Sequence, residues 1–162
     1  MRAVVMSSDV PEFVPAKGAS DLRSEPLQLK WLDSFETGHP EIDRVHRKLI
    51  LDCNALLAMI STGSNWAEIV ARARRLIDDC VAHFRLEESI LAGSAFSRLA
   101  EHEAEHLRLE QEMRAALFRM AKRDEAFEDR FEHARWLGAI LIDAIVRNDL
   151  DFRSHILNEQ GR

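Results

Sequence analysis

The sequence predicts an all-α protein, an antiparallel up-down-up-down four-helix bundle with a flexible N-terminal arm. Three observations carry this expectation. From Pro40 onward, apolar residues recur at steps of three and four in four long segments, the spacing that lays one stripe along an α-helix. Short stretches rich in Gly, Ser and Asp separate the segments, and links that brief favour antiparallel neighbours. Strand signals are absent from the pattern.

Taken in order, residues 1–30 contain Pro11, Pro15 and Pro26 among scattered Ser, Gly and charged residues, with no sustained apolar period. Such a stretch has too little to bury and reads as a flexible arm. The bundle is expected over 31–157, with a tail at 158–162. Segment A begins at Pro40, a residue suited to the first helical position, and aligns Ile42, Val45, His46, Leu49, Cys53, Leu56, Leu57 and Ile60 before ending near Ser61 to Gly63. Segment B opens with Asn65 as a cap and Glu68 three residues on, the spacing of a capping box. It carries Ile69, Leu76, Cys80, His83, Glu87 and Leu91 inward, and Gly93 stops it. Segment C, from about Ala95 to Lys122, aligns Leu99, His102, His106, Leu109, Met113 and Leu117. Segment D starts after Asp124, a suitable N-cap, and turns Phe131, Trp136, Ile140, Leu141, Ala144 and Ile145 inward, with Asp149 near its end.

A chain of 162 residues suits one domain. With 46% hydrophobic and 31% charged residues it has the balance of a soluble protein able to form a core. A net charge of -6 repels a polyanion, so nucleic acid is not an expected ligand. The most apolar stretch, Trp136 to Val146, is interrupted by Asp143 and is shorter than the roughly 20 residues of a membrane span, so no membrane association is expected. The N-terminus turns polar after Met6, without the ~7–15 apolar residues of a signal peptide, and a cytoplasmic location is expected. There, Cys53 and Cys80, both inside apolar helical patterns, are expected to be small buried hydrophobes and not a disulfide.

Histidines and carboxylates interrupt the apolar stripes, and a buried carboxylate is costly unless it is paired or coordinates a metal. His83 and Glu87 lie four apart, one above the other on a helix, and His102 and His106 repeat that geometry. Each pair can chelate. Imidazole with carboxylate suits iron or a similar first-row metal, whereas structural zinc would favour thiolates. A solvated helix face is the ordinary explanation of either pair alone. It does not explain why both fall on inner stripes together with His46.

At these residues the chain resembles the hemerythrin family, over about Trp31 to Phe152. Trp31, Phe35, Gly38 and the run Glu41, Ile42, Asp43, Arg44, Val45, His46 resemble the family's first ligand-bearing helix and the loop leading into it. His83, Phe84, Glu87 and Glu88 resemble its HFxxEE motif, His102 and His106 its HxxxH pair, and Asp149 with Phe152 its terminal aspartate motif. The resemblance implies a non-haem di-iron centre. His46 and His83 would ligate one iron, His102 and His106 the other, and Glu87 and Asp149 would bridge both.

One position departs from the pattern. The family's fifth histidine, five residues before the terminal aspartate, is here Ala144. Asp143 is rotated about 100° from it, and His133 is about 16 Å away along the axis, so neither substitutes. His155 is expected at the surface, with folding back from the C-terminus to the site as the alternative, His39 is expected at a cap or the surface, and Glu88, about 100° from Glu87, is expected to support a ligand or face solvent. The resemblance implies a protein that binds dioxygen or nitric oxide for storage, delivery or sensing. The alternative is a di-iron oxidoreductase in which the position left by Ala144 serves oxidase or peroxide chemistry. The sequence names no protein partner.

Overall fold

The computed structural model describes residues 30–122, 127–144 and 150–160. Among the described residues a short 3-10 turn, Asp33–Phe35, precedes five helices: α1 (Pro40–Ser61), α2 (Trp66–Gly93), α3 (Leu99–Ala121), α4 (Phe127–Asp143) and α5 (Leu150–Gln160). No strand occurs among the described residues, as the all-α expectation requires. Helix α1 packs on α2, α2 on α3 and α3 on α4, and α1 against α4 closes the ring of four. The expected arm, the Asp124 cap, Ile145, Asp149 and the side chain of Phe131 lie outside the described residues.

The helix ends show why the elements start and stop where they do. Pro40 opens α1 as its missing N–H allows, and the Asp43 carboxylate reaches back to accept hydrogen bonds from Thr37 N (2.7 Å) and Thr37 Oγ1 (2.8 Å). His39 occupies the cap position, yet its side chain makes no capping bond. Asn65 caps α2, but its side chain accepts from Ala67 N rather than from Glu68 N as a capping box would have it.

Helices α1 and α2 end in the same way. Ser64 N donates back to Met59 O with Gly63 at φ 70°, and Phe96 N donates back to Leu91 O with Ala95 at φ 53°. Each is a left-handed residue closing a Schellman-type turn. The α2 stop is therefore Ala95 and not Gly93, which lies within the last helical turn. For the same reason α3 begins at Leu99 and not at Ala95, because a left-handed residue cannot open a right-handed helix.

Segment D also departs from expectation. Among the described residues its buried positions are Ala134, Leu137, Gly138, Ile140, Leu141 and Ala144. That phase turns Trp136, one residue from Leu137, outward to 43% exposure. The chain then forms α5 to Gln160, where a tail was expected from residue 158.

Two apolar clusters fill the interior. The larger runs from Leu49 and Cys53 on α1 through Leu76 and Cys80 on α2 and Leu109 and Met113 on α3 to Leu137 and Ala144 on α4. The smaller joins Ile42, Leu91, Phe152 and Ile156, with Phe96 and Leu99 packed against it. Along α1 the order is Ile42, His46, Leu49; along α2 it is Leu91, Glu87, His83, Cys80; along α3 it is Leu99, His102, His106, Leu109. The histidines and Glu87 thus form a polar layer between two apolar ones.

Candidate metal centre

Three helices deliver this layer, and its five side chains are at most 7% exposed. His46 Nε2 lies 2.7 Å from His83 Nε2, and Glu87 Oε1 lies 3.2 Å from the first and 3.1 Å from the second. The other oxygen of the same carboxylate, Oε2, lies 3.7 Å from His102 Nε2 and 3.4 Å from His106 Nε2. One carboxylate therefore faces two histidine pairs, one with each oxygen.

Hydrogen bonding alone accounts poorly for this arrangement. One shared proton can serve only one partner at a time, yet two Nε2 atoms and an oxygen crowd within hydrogen-bond distance. Among the described residues, Glu87 Oε2, His83 Nδ1 and His102 Nε2 are buried without a hydrogen-bond partner, which native interiors avoid. A metal ion resolves both features. Donors about 2.1 Å from one ion are about 3.0 Å apart at right angles and about 3.4 Å apart in a tetrahedron. The observed separations of 2.7 to 3.7 Å span those edges. His46, His83 and Glu87 form one group able to hold a cation, and Glu87, His102 and His106 form a second.

The electrostatics agree with that chemistry. Burial by itself would raise the Glu87 carboxyl, but the charge of His83, the approach of His102 and His106 and the hydrogen bond from His46 hold it well below the usual carboxylate range. An ionised carboxylate among imidazoles is a ready ligand set. Cys53 is different: burial pushes its thiol up to about 12, so it packs as a hydrophobe and supplies no thiolate. Cys53 and Cys80 are both buried, as expected.

Aromatic rings wall the layer. Phe84 stacks on His106 with centroids 4.0 Å apart and planes 9° from parallel, and Phe152 meets His102 edge-on at 5.4 Å. In the sequence Phe84 and Phe152 stand out only as parts of motifs, and these contacts have no local signal. Glu88 is buried and accepts a hydrogen bond from His106 Nδ1 at 3.0 Å, so its supporting role is realised and its solvent role is not.

Of the predicted site residues, the structure brings together His46, His83, Glu87, His102 and His106, while Asp149 lies outside the described residues. His133 and His39 are half-buried and belong to neither group. His155 is not the exposed histidine expected. Its Nε2 donates to Ser94 O at 3.0 Å, with Ser94 Oγ equally near, and ties α5 to the α2–α3 turn.

The family model of the Hemerythrin HHE cation binding domain matches residues 37–161. The chain belongs to the hemerythrin family. Two hemerythrin-like proteins, from Naegleria gruberi and Naegleria fowleri, are each 35% identical to it over 81 residues, half of this chain. The match covers 62% of each of these curated relatives. No solved structure matches. A hemerythrin-type domain implies a metal-binding site, and the two groups sharing Glu87 have the composition and spacing for one. No helix among the described residues is long and apolar enough to cross a membrane.

Proposed function

We propose that this hemerythrin-family chain is a non-haem di-iron protein that binds a small diatomic ligand, dioxygen or nitric oxide, for storage, delivery or sensing. The observation that carries the proposal is the division of one buried carboxylate, with Oε1 toward His46 and His83 and Oε2 toward His102 and His106. In this reading His46 and His83 would hold one iron, His102 and His106 would hold the other, and Glu87 would serve both. Asp149, which lies outside the described residues, would be the second carboxylate to hold both irons. The irons, when bound, supply the electrons and the open coordination that a diatomic ligand requires.

The chain's own residues supply the setting. Helices α1, α2 and α3 fix the imidazoles by burial, so little reorganisation accompanies binding. Phe84 and Phe152 cover the rings of His106 and His102, and Ile42 and Leu91 complete an apolar cover on the Phe152 side. A diatomic gas crosses such surroundings readily, whereas bulk water and ionic reductants are kept out.

The oxidoreductase reading draws on Ala144, which is buried at 2% and carries no donor atom where the family pattern has an imidazole. It is tested beside the first. Protein loaded with ferrous iron and then exposed to air is expected to retain two irons per folded chain, one for each group, and to show a visible absorption that reverses when oxygen is removed. Absence of iron overturns the assignment. Rapid consumption of peroxide with a reductant, suppressed in Ala144→His, would favour the oxidoreductase over the carrier.

A further inference from the structure

The hexapeptide from His83 to Glu88 places one residue whose role the metal reading leaves open. Arg85 is mostly solvent-exposed, yet its Nη1 donates to both oxygens of Glu88, at 3.0 and 2.7 Å, and its Nη2 lies 3.8 Å from Glu110 on α3. Glu88 Oε1 in turn accepts from His106 Nδ1 at 3.0 Å. Phe84 clamps the same ring by stacking. A ring that donates from Nδ1 to a carboxylate is held in the tautomer that leaves Nε2 as the lone-pair donor, and here Nε2 points at Glu87. His83 differs, since its Nδ1 has no such partner among the described residues.

We infer that Arg85 and Glu88 form a positioning pair for His106, through which a surface cation sets the affinity of the group formed by Glu87, His102 and His106. The group formed by His46, His83 and Glu87 does not depend on it. Spacing explains the economy of the arrangement. On one helix, residues 84, 87 and 88 lie on adjoining sides of the inner face, and residue 85 lies three before 88 at the rim, within reach of its carboxylate. Arg85 thus bridges α2 and α3 beside the layer without touching a candidate ligand.

This inference rests on the metal-centre reading, and the experiment separates the two. Ferrous iron is titrated without air into the full chain and into Arg85→Ala, Glu88→Ala and Glu88→Gln, with both binding events resolved. Glu88→Ala is expected to weaken one event by about 10- to 100-fold and Arg85→Ala by about 10-fold, with the other event unchanged. Glu88→Gln, which keeps an acceptor oxygen but no charge, falls between wild type and Glu88→Ala. Histidine nitrogen spectra of the metal-free chain supply a readout that general loss of structure would not mimic. The Nδ1–H signal of His106 is expected in wild type, is expected to exchange faster with water in Arg85→Ala, and is expected to be lost in Glu88→Ala while the other imidazoles keep their signals. Wild type binding two irons with all variants equal to it, or with both events weakened alike, overturns the positioning pair and leaves the metal reading intact. Wild type binding no iron overturns the metal reading and this inference with it.

Discussion

The two apolar clusters that flank the polar layer are built on different principles. The larger uses four long helices and regular stripes, from Leu49 to Met120 and on to Ala144. The smaller relies on Phe152 and Ile156 of α5 and on Phe96 from a turn, and α5 also sets Leu157 over Gly38 beside it. Gly38 sits at φ 90°, and a Cβ there would lie 2.8 Å from Leu157 Cδ2, so that position requires glycine for both its backbone and its space. Global stability is thus assigned to the larger cluster, while the smaller one governs the cover over His102.

The largest expected effect tests the first half of that contrast. Leu56→Ala, at a fully buried position of the larger cluster, is expected to cost about 2–5 kcal/mol in denaturant unfolding while iron stoichiometry stays unchanged. Phe152→Ala empties an equally buried position, but α5 can detach locally before the bundle unfolds, so the global cost is expected at about 1–3 kcal/mol. Hydrogen exchange in α5 should accelerate first. Equal costs with no change in α5 exchange would erase the contrast between the clusters.

Acid tests the layer itself. In the metal-free protein the imidazoles around Glu87 hold its carboxyl well below the usual carboxylate range, so its contribution to stability is present above about pH 4.5. That contribution is lost as pH falls from about 4.5 through the lower folded value. Thermal unfolding at stepped pH is expected to show this loss in the native chain and a weaker one in Glu87→Gln. The smallest effect concerns the α2–α3 turn, which carries Phe96 into the smaller cluster. Ala95→Gly removes about 1–2 kcal/mol of left-handed strain and adds about 0.4–1 kcal/mol of unfolded-state entropy, for a net gain of about 0.5 kcal/mol in thermal unfolding.

What the sequence disclosed follows the same division. Periodicity identified the helices of the larger cluster, because a stripe at steps of three and four is a local property of the chain. The four histidines and Glu87 were legible because polar side chains on an apolar stripe demand a reason. Trp136 was misplaced because two adjacent bulky residues, Trp136 and Leu137, compete for one phase and only packing decides between them. Ala95 went unrecognised as a stop because alanine carries no left-handed preference, whereas Gly93 advertised one that the fold does not use. Arg85 and Glu88 had a sequence signal in their three-residue spacing, but the ring they orient comes from α3 and was invisible locally.

Because His46, His83 and His106 come from three separate helices, cation binding reports on tertiary assembly and not on helix content. His46 and His83 are 37 residues apart in the chain, yet their Nε2 atoms meet at 2.7 Å. A compact state with its helices formed and its packing loosened would keep its far-ultraviolet dichroism and lose that convergence. A cation held by this layer would therefore report the mutual register of the helices, and its binding would be lost where that register is loosened.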